Sequence, residues 1–272
     1  EVKIPFCMFN IINGGKHASN NIDIQEFMIV PKFNTFKESL RAASEVFHAL
    51  KGILLDKGLN TNVGDEGGYA PDLSSNEEAL SVIVKSIETA GYIPGKNIFI
   101  ALDIAASSFY NSETDTYNID NTNKTREELL NYYIELLQKY PIISIEDPFD
   151  EDDYLGFKMI TDSLGKKISI VGDDLFVTNK NLLKKGIEEG LCNAILIKPN
   201  QVGSFYETLE TIVLAKQNKY TCIMSHRSGE TTDTFISDLA VALNIPFMKS
   251  GSTSRGERLS KYNRLLEIEE EL

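Results

Sequence analysis

The sequence predicts an α/β chain folded as a closed (β/α)8 barrel that opens ββαα and continues (βα)6. Three observations carry that expectation. Six short apolar runs each deliver ionisable residues at their C-terminal ends: Phe99–Asp103, Ile142–Glu146, Ile168–Asp173, Ala194–Lys198, Thr221–Arg227 and Pro246–Lys249. Uninterrupted aliphatic runs of this kind mark strands buried on both faces. From Glu146 onward the strand ends recur roughly every 23–28 residues, about one strand–helix unit each. The length of 272 residues suits a closed barrel of eight such units, which takes about 250. A doubly wound open sheet is the alternative, but it does not gather so many polar strand ends around one point. A barrel brings them all to a single mouth.

The elements follow in order. Pro5–Ile12 and Asp23–Pro31 read as strands joined by a glycine-containing loop, Asn13–Ile22. That link is too short for a helical crossover, so the two strands are expected to be antiparallel neighbours. Thr35–Lys57 carries Phe36, Leu40, Ala43, Phe47, Leu50 and Leu54 at helical spacing. His48 on the same helix has apolar neighbours and reads as a structural residue. The polar loop Gly58–Ser74 contains NVGDEGGYAPD. Ser75 with Glu78 signals a capped second helix ending near Gly91, and Thr125 with Glu128 and Ser204 with Glu207 signal later ones. Pro141, Gly165 and Gly190 are stop signals. The acidic tail Glu267–Glu271 reads as a solvated helix end. No linker or low-complexity tract divides the chain, so residues 1–272 are expected to form one barrel domain. The abrupt opening EVKIPF, almost directly in a strand, reads as part of something longer.

Composition excludes several function classes. A net charge of −13 disfavours nucleic acid and anionic membrane surfaces, which require clustered Lys and Arg. Cys7, Cys192 and Cys222 lie in or beside apolar runs, without the spacing of a redox or zinc motif, and read as buried reduced thiols. No stretch has the apolar length of a membrane span, and no signal peptide opens the chain.

The strand ends themselves suggest chemistry. Asp103, Glu146 and Asp173 are three carboxylates from successive parallel strands, and unpaired they repel. A hard divalent cation resolves this, and oxygen ligation suits magnesium better than zinc. Lys198, partly desolvated beside a cation, is expected to fall toward the range of a general base, with a counter-ion role as the competing reading. Lys249 is placed equivalently, and spacing does not say which lysine takes a proton. His226, Arg227 and Ser228 combine an imidazole, a guanidinium and a hydroxyl into a grip for an anion or phosphate. Glu66 sits among Gly64, Gly67 and Gly68, which permit close approach of the backbone to a ligand. Neither this loop nor Gly14–Lys16 has P-loop spacing. Strand alternation turns one of Gln25 and Glu26 toward the mouth and the other away, unless a bulge brings both inward. A metal, a lysine base and an opposed carboxylic acid together suit removal of a proton next to a carboxylate, followed by loss of a hydroxyl.

Long stretches of the sequence resemble the enolase (phosphopyruvate hydratase) family: NGGKHASNNIDIQEFMIVP, NTNVGDEGGYAPDLSSNEEAL, ALDIAASSFY, SIEDPFDEDD, VGDDLFVTN, LIKPNQVGS, MSHRSGETTDTFISDLAV and KYNRLLEIEEEL. The resemblance spans essentially the whole chain and implies a TIM-like barrel. It implies magnesium-dependent dehydration of 2-phospho-D-glycerate to phosphoenolpyruvate in glycolysis, and the reverse in gluconeogenesis. On matching positions it makes Lys198 the base at C2 and Glu66 the proton donor to the C3 hydroxyl, with Glu26 beside it. Asp103, Glu146 and Asp173 become the ligands of the first magnesium ion. His17, Gln25, Glu26, His226, Arg227, Ser228 and Lys249 become substrate-holding residues. Two magnesium ions are expected in the complete enzyme. The family's N-terminal α+β domain, with a serine-containing loop that closes over the substrate and helps bind the second ion, is absent from this chain. The resemblance further implies a homodimer or higher homo-oligomer for the complete protein and a cytoplasmic location, with surface display in some relatives. A truncated, catalytically weak barrel acting as a binding or surface protein is the alternative. Two positions depart from the family pattern. Glu267 stands where an arginine usually serves the dimer interface, and Pro199 stands where an aliphatic residue often follows the lysine, a position read as the last of its strand, where proline is tolerable.

Overall fold

The computed structural model describes residues 2–272. β1 (Phe6–Asn13) and β2 (Glu26–Pro31) pair antiparallel, as the short link between them requires. α1 (Phe36–Asp56) and α2 (Asn76–Thr89) follow, their first turns capped by the hydroxyls of Thr35 and Ser75, which accept from the backbone N–H of Glu38 and Glu78. β3 (Ile98–Asp103) pairs antiparallel with β2. The chain then makes an excursion that the sequence reading did not foresee. β4 (Tyr110–Asn111), β5 (Thr116–Ile119) and β6 (Thr122–Lys124) form a separate antiparallel sheet.

Strict alternation begins at α3 (Arg126–Lys139), which starts on the full Thr125–Glu128 capping box. It continues through β7 (Ile142–Glu146), α4 (Tyr154–Leu164), β8 (Ser169–Gly172), α5 (Lys180–Glu189) and β9 (Ala194–Ile197). A short helix α6 (Pro199–Val202), α7 (Phe205–Gln217), β10 (Thr221–Ser225), α8 (Phe235–Ala242), β11 (Phe247–Lys249) and α9 (Gly256–Glu271) complete it. Eight strands close into a barrel in the order β1-β11-β10-β9-β8-β7-β3-β2. The expected ββαα opening and closed barrel are both present.

Side-chain alternation sorts the core into two layers. Outward positions such as Phe9, Phe27, Ile100, Ile170 and Ile195 pack under the helices. Inward positions Met8, Met28, Val30, Ala101, Val171, Ala194, Leu196 and Ile223 form their own cluster, a plug inside the barrel, with Phe99, Ile143 and Phe247 against it. Advancing two residues from Met8, Ala101, Val171, Leu196 and Phe247 along each strand gives Asn10, Asp103, Asp173, Lys198 and Lys249. On the reversed β2, two residues before Met28 is Glu26. One alternation rule therefore builds the apolar plug and sets the polar ring above it.

Three local expectations are corrected. His48 is exposed on the solvent side of α1, because the buried stripe runs through Ala43, Val46, Phe47 and Leu50 instead. Pro199 is not the last strand residue but the first residue of α6, where its missing N–H costs nothing. The acidic tail is not wholly solvated. Glu269 caps the start of α1, accepting from the backbone N–H of Phe36 at 2.5 Å and Lys37 at 2.9 Å. Cys7, Cys192 and Cys222 are free and buried. Among the described residues, no helix is long and apolar enough to cross a membrane.

Candidate active site

Strand register brings the mouth together. Glu26 lies opposite Asp103, and Asp103 opposite Glu146, so three carboxylates stand side by side on β2, β3 and β7. Lys249, at the end of β11, reaches across the barrel to all three. Its Nζ lies 2.9 and 3.0 Å from the two Glu146 oxygens and 3.4 Å from Glu26 and from Asp103 Oδ2. Burial alone disfavours the ammonium, but Glu146, Glu26 and Asp103 outweigh it and hold Lys249 well above its usual range. Burial, then Asp103, pushes Glu146 well above the usual carboxylate range, against the pull of Lys249.

Lys198 sits where β9 ends, its backbone N–H donating to Thr178 Oγ1 at 2.9 Å. Its ammonium donates to Asp173 Oδ2. The sequence predicts a lowered pKa for this lysine. Burial does act that way, but Asp173 in direct contact outweighs it, and the result is a raised one. Asp173 is oriented by Asp147, a residue the sequence reading passed over. Asp147 accepts from the backbone N–H of Asp173 at 2.9 Å and of Asp174 at 2.8 Å.

Glu66 enters from the loop after α1. Gly67 adopts φ +86°, and a Cβ there would lie 2.8 Å from the Ser254 carbonyl; a Cβ on Gly68 would lie 2.9 Å from Asn13 Oδ1. The glycines thus let this loop press onto the mouth and bury Glu66. Glu66 accepts from the Asn10 amide at 3.1 Å and lies 3.2 Å from His226 Nε2. His17 Nδ1 lies 3.6 Å from Glu66 and 3.7 Å from Glu26. The two acids are coupled and pushed apart. Burial, then the charge of Glu66, raises Glu26 well above its usual range. Burial acts on Glu66 in the same sense, but His226, His17 and Lys249 hold it well below. His226 is itself pushed below its usual value, chiefly by burial.

Both Gln25 and Glu26 face the mouth. Gln25 precedes the first paired residue of β2 and so escapes strand alternation, and its amide donates to Asp103 Oδ2 at 3.3 Å. A register irregularity in β1 between Asn10 and Ile12 accompanies this turn. Arg227 is half-buried beyond the end of β10, its Nη1 donating to Asn200 Oδ1 at 2.9 Å, and Ser228 beside it is exposed.

A family model described as "Enolase, C-terminal TIM barrel domain" matches residues 1–272. The chain belongs to the enolase C-terminal barrel family. Membership points to enolase-like lyase chemistry at the mouth just described.

The donor set of this enolase-family barrel fits a hard divalent cation. Glu26, Glu66, Asp103, Glu146, Asp147 and Asp173 are all buried, and among the described residues the ammonium groups paired with them are those of Lys198 and Lys249. Asp173 Oδ1 is buried with no hydrogen-bond partner. Among the described residues, two groups bring three donor atoms within 4.8 Å of one another: His17, Glu26 and Glu66, and Asp147, Asp173 and Asp174. Asp103, Glu146 and Asp173 are not gathered so tightly, because Lys249 draws the first two and Lys198 the third. Asn10, Asp147 and Arg258 are the site residues that the sequence reading missed. Asp147 sits one residue after Glu146, which it did single out, and Asn10 one alternation step beyond Met8 of the apolar plug.

Proposed function

We propose that this chain is the barrel of a phosphopyruvate hydratase, dehydrating 2-phospho-D-glycerate to phosphoenolpyruvate. The observation that carries the reading is the mouth itself, where two lysines, a coupled Glu26–Glu66 pair and the Asp103–Glu146–Asp173 carboxylates converge. Lys198, at the rim, removes the proton from C2. Glu66, drawing on the proton held by the coupled Glu26–Glu66 pair, protonates the departing C3 hydroxyl. Lys249, Gln25, His17 and His226 hold the substrate carboxylate and hydroxyl, and Arg227 with Ser228 holds the phosphate. Asp103, Glu146 and Asp173 would hold magnesium, which would supply positive charge against the negative charge left when C2 loses its proton. The reading brings with it the cytoplasmic, glycolytic setting of that reaction.

The test separates the two proton transfers. With 2-phosphoglycerate deuterated at C2 and magnesium present, Lys198→Ala is expected to abolish both deuterium washout and phosphoenolpyruvate absorbance. Glu66→Gln is expected to lose the product while retaining washout. Retained washout in Lys198→Ala overturns the assignment of the base.

A further inference from the structure

Arg258, near the start of α9, is 1 % exposed and is the bulkiest of the fully buried side chains among the described residues. Its Nη1 lies 2.5 Å from His226 Nδ1 and donates to the Arg227 carbonyl at 2.7 Å. Its Nη2 donates to the carbonyls of Asp65 at 3.1 Å and Ser228 at 2.8 Å. The carboxylate nearest its Nε is Glu257, at 3.9 Å. The two terminal nitrogens thus meet four lone pairs, while Nε is buried without a hydrogen-bond partner.

A guanidinium has five donors and no acceptor. A ring nitrogen at hydrogen-bond distance from it can only accept. His226 Nδ1 therefore carries no proton, and the single ring proton of the neutral imidazole sits on Nε2, the atom facing Glu66 Oε2 at 3.2 Å. The same guanidinium joins the two loops that bring Glu66 and Arg227 to the mouth, through Asp65 on one and Arg227 and Ser228 on the other. Gly251 closes under it. At φ +76°, a Cβ on that residue would stand 2.8 Å from Arg258 Cδ and 2.6 Å from the Glu66 carbonyl.

We infer that Arg258 is a positioning residue: it fixes His226 as the Nε2–H tautomer and locks the Glu66 loop to the Arg227–Ser228 loop. The inference deepens the proposed function and rests on it for the roles of Glu66 and Arg227, but the tautomer stands on geometry alone. The ring proton on Nε2 is consequently held on the side of Glu66, 3.2 Å from Oε2 and without a hydrogen-bond partner of its own.

The test begins on the unaltered protein. The chain has three histidines, so ring-15N labelling gives few signals, and His17→Gln and His48→Gln assign them. His226 is expected to show a bare Nδ1 and a protonated Nε2. Arg258→Met, if folded by circular dichroism, is expected to show mixed tautomers. Its kcat should fall on the order of 10–100-fold, as when the hydrogen-bond partner that orients a site histidine is lost elsewhere, with a much smaller change in KM. A proton on Nδ1 in the native protein overturns the inference whether or not the variant folds. So does an unchanged tautomer in a folded Arg258→Met. Retained deuterium washout in Lys198→Ala would remove the catalytic reading while leaving this tautomer untouched, so the two failures are distinct.

Discussion

Replacing Lys249 with methionine keeps most of the side-chain volume and deletes one charge at the centre of the barrel. The Lys249–Glu146 pair, with contacts near 3 Å, is worth about 5–6 kcal/mol at an effective dielectric of about 20, before desolvation is subtracted. Removing one partner of a buried ion pair costs about 3–5 kcal/mol net, because the other charge stays behind unpaired. Lys249→Met is therefore expected to lose about 3–5 kcal/mol at pH 8, or about 6–20 °C in melting temperature for a domain of this size. The loss should shrink on acidification. Glu26 and Glu146 already have raised values in the folded state, each against an ordinary 4.5. A carboxylate raised on folding stabilises most below its unfolded pKa, and that stability disappears as pH rises through the folded value. Without the ammonium both rise further, so the variant gains on the wild type as pH falls from 8 toward 5. Urea unfolding at pH 8 and pH 5.5 measures this. A variant within about 0.5 kcal/mol of wild type at pH 8, or one whose deficit widens in acid, would refute the assignment of Lys249 as counter-ion.

Three further outcomes follow from the same geometry. Magnesium at about 100 times its dissociation constant should raise stability by about 2.7 kcal/mol. Asp173→Asn should abolish most of that shift in differential scanning fluorimetry; an undiminished shift would place the ion elsewhere. Gly251→Ala should cost about 1–3 kcal/mol from its left-handed backbone alone, and its contacts with Arg258 and Glu66 should lower kcat as well. A fully active, fully stable Gly251→Ala would show that the Arg258 cradle is not needed. Thr125→Ala should cost about 1 kcal/mol by opening the capping box of α3 without altering activity, read by chemical denaturation with the activity assay alongside.

The barrel was legible because one pattern repeats. A buried strand must be apolar on both faces, so a charged residue at its end stands out, and Asp103, Glu146, Asp173, Lys198 and Lys249 were found this way. Their partnerships were not legible. That Lys249 crosses the barrel to Glu146 while Lys198 meets Asp173 depends on strand order and tilt, which no local window contains. The β4–β6 excursion was missed because Tyr110–Lys124 is polar and turn-rich, with Tyr117 and Ile119 as its fully buried apolar residues. Arg258 was invisible for a different reason. Flanked by Glu257 and Leu259 in a charged helix, it reads as a solvated arginine, and only the fold shows four acceptors converging on it. His48 misled in the opposite sense, since apolar neighbours at adjacent positions say nothing about which side of the helix a residue occupies.

The first and last strands of the barrel meet along a short seam, where Phe6, Cys7 and Met8 pair with Phe247, Met248 and Lys249. The residue that zips the final rung is thus the same one that quiets the crowd of acids inside. Ring closure and charge balance are a single event. A chain halted before its last strand would hold a gaping sheet whose like-signed tips push each other apart, and the very lysine that completes the circle is the one that lets it stay shut.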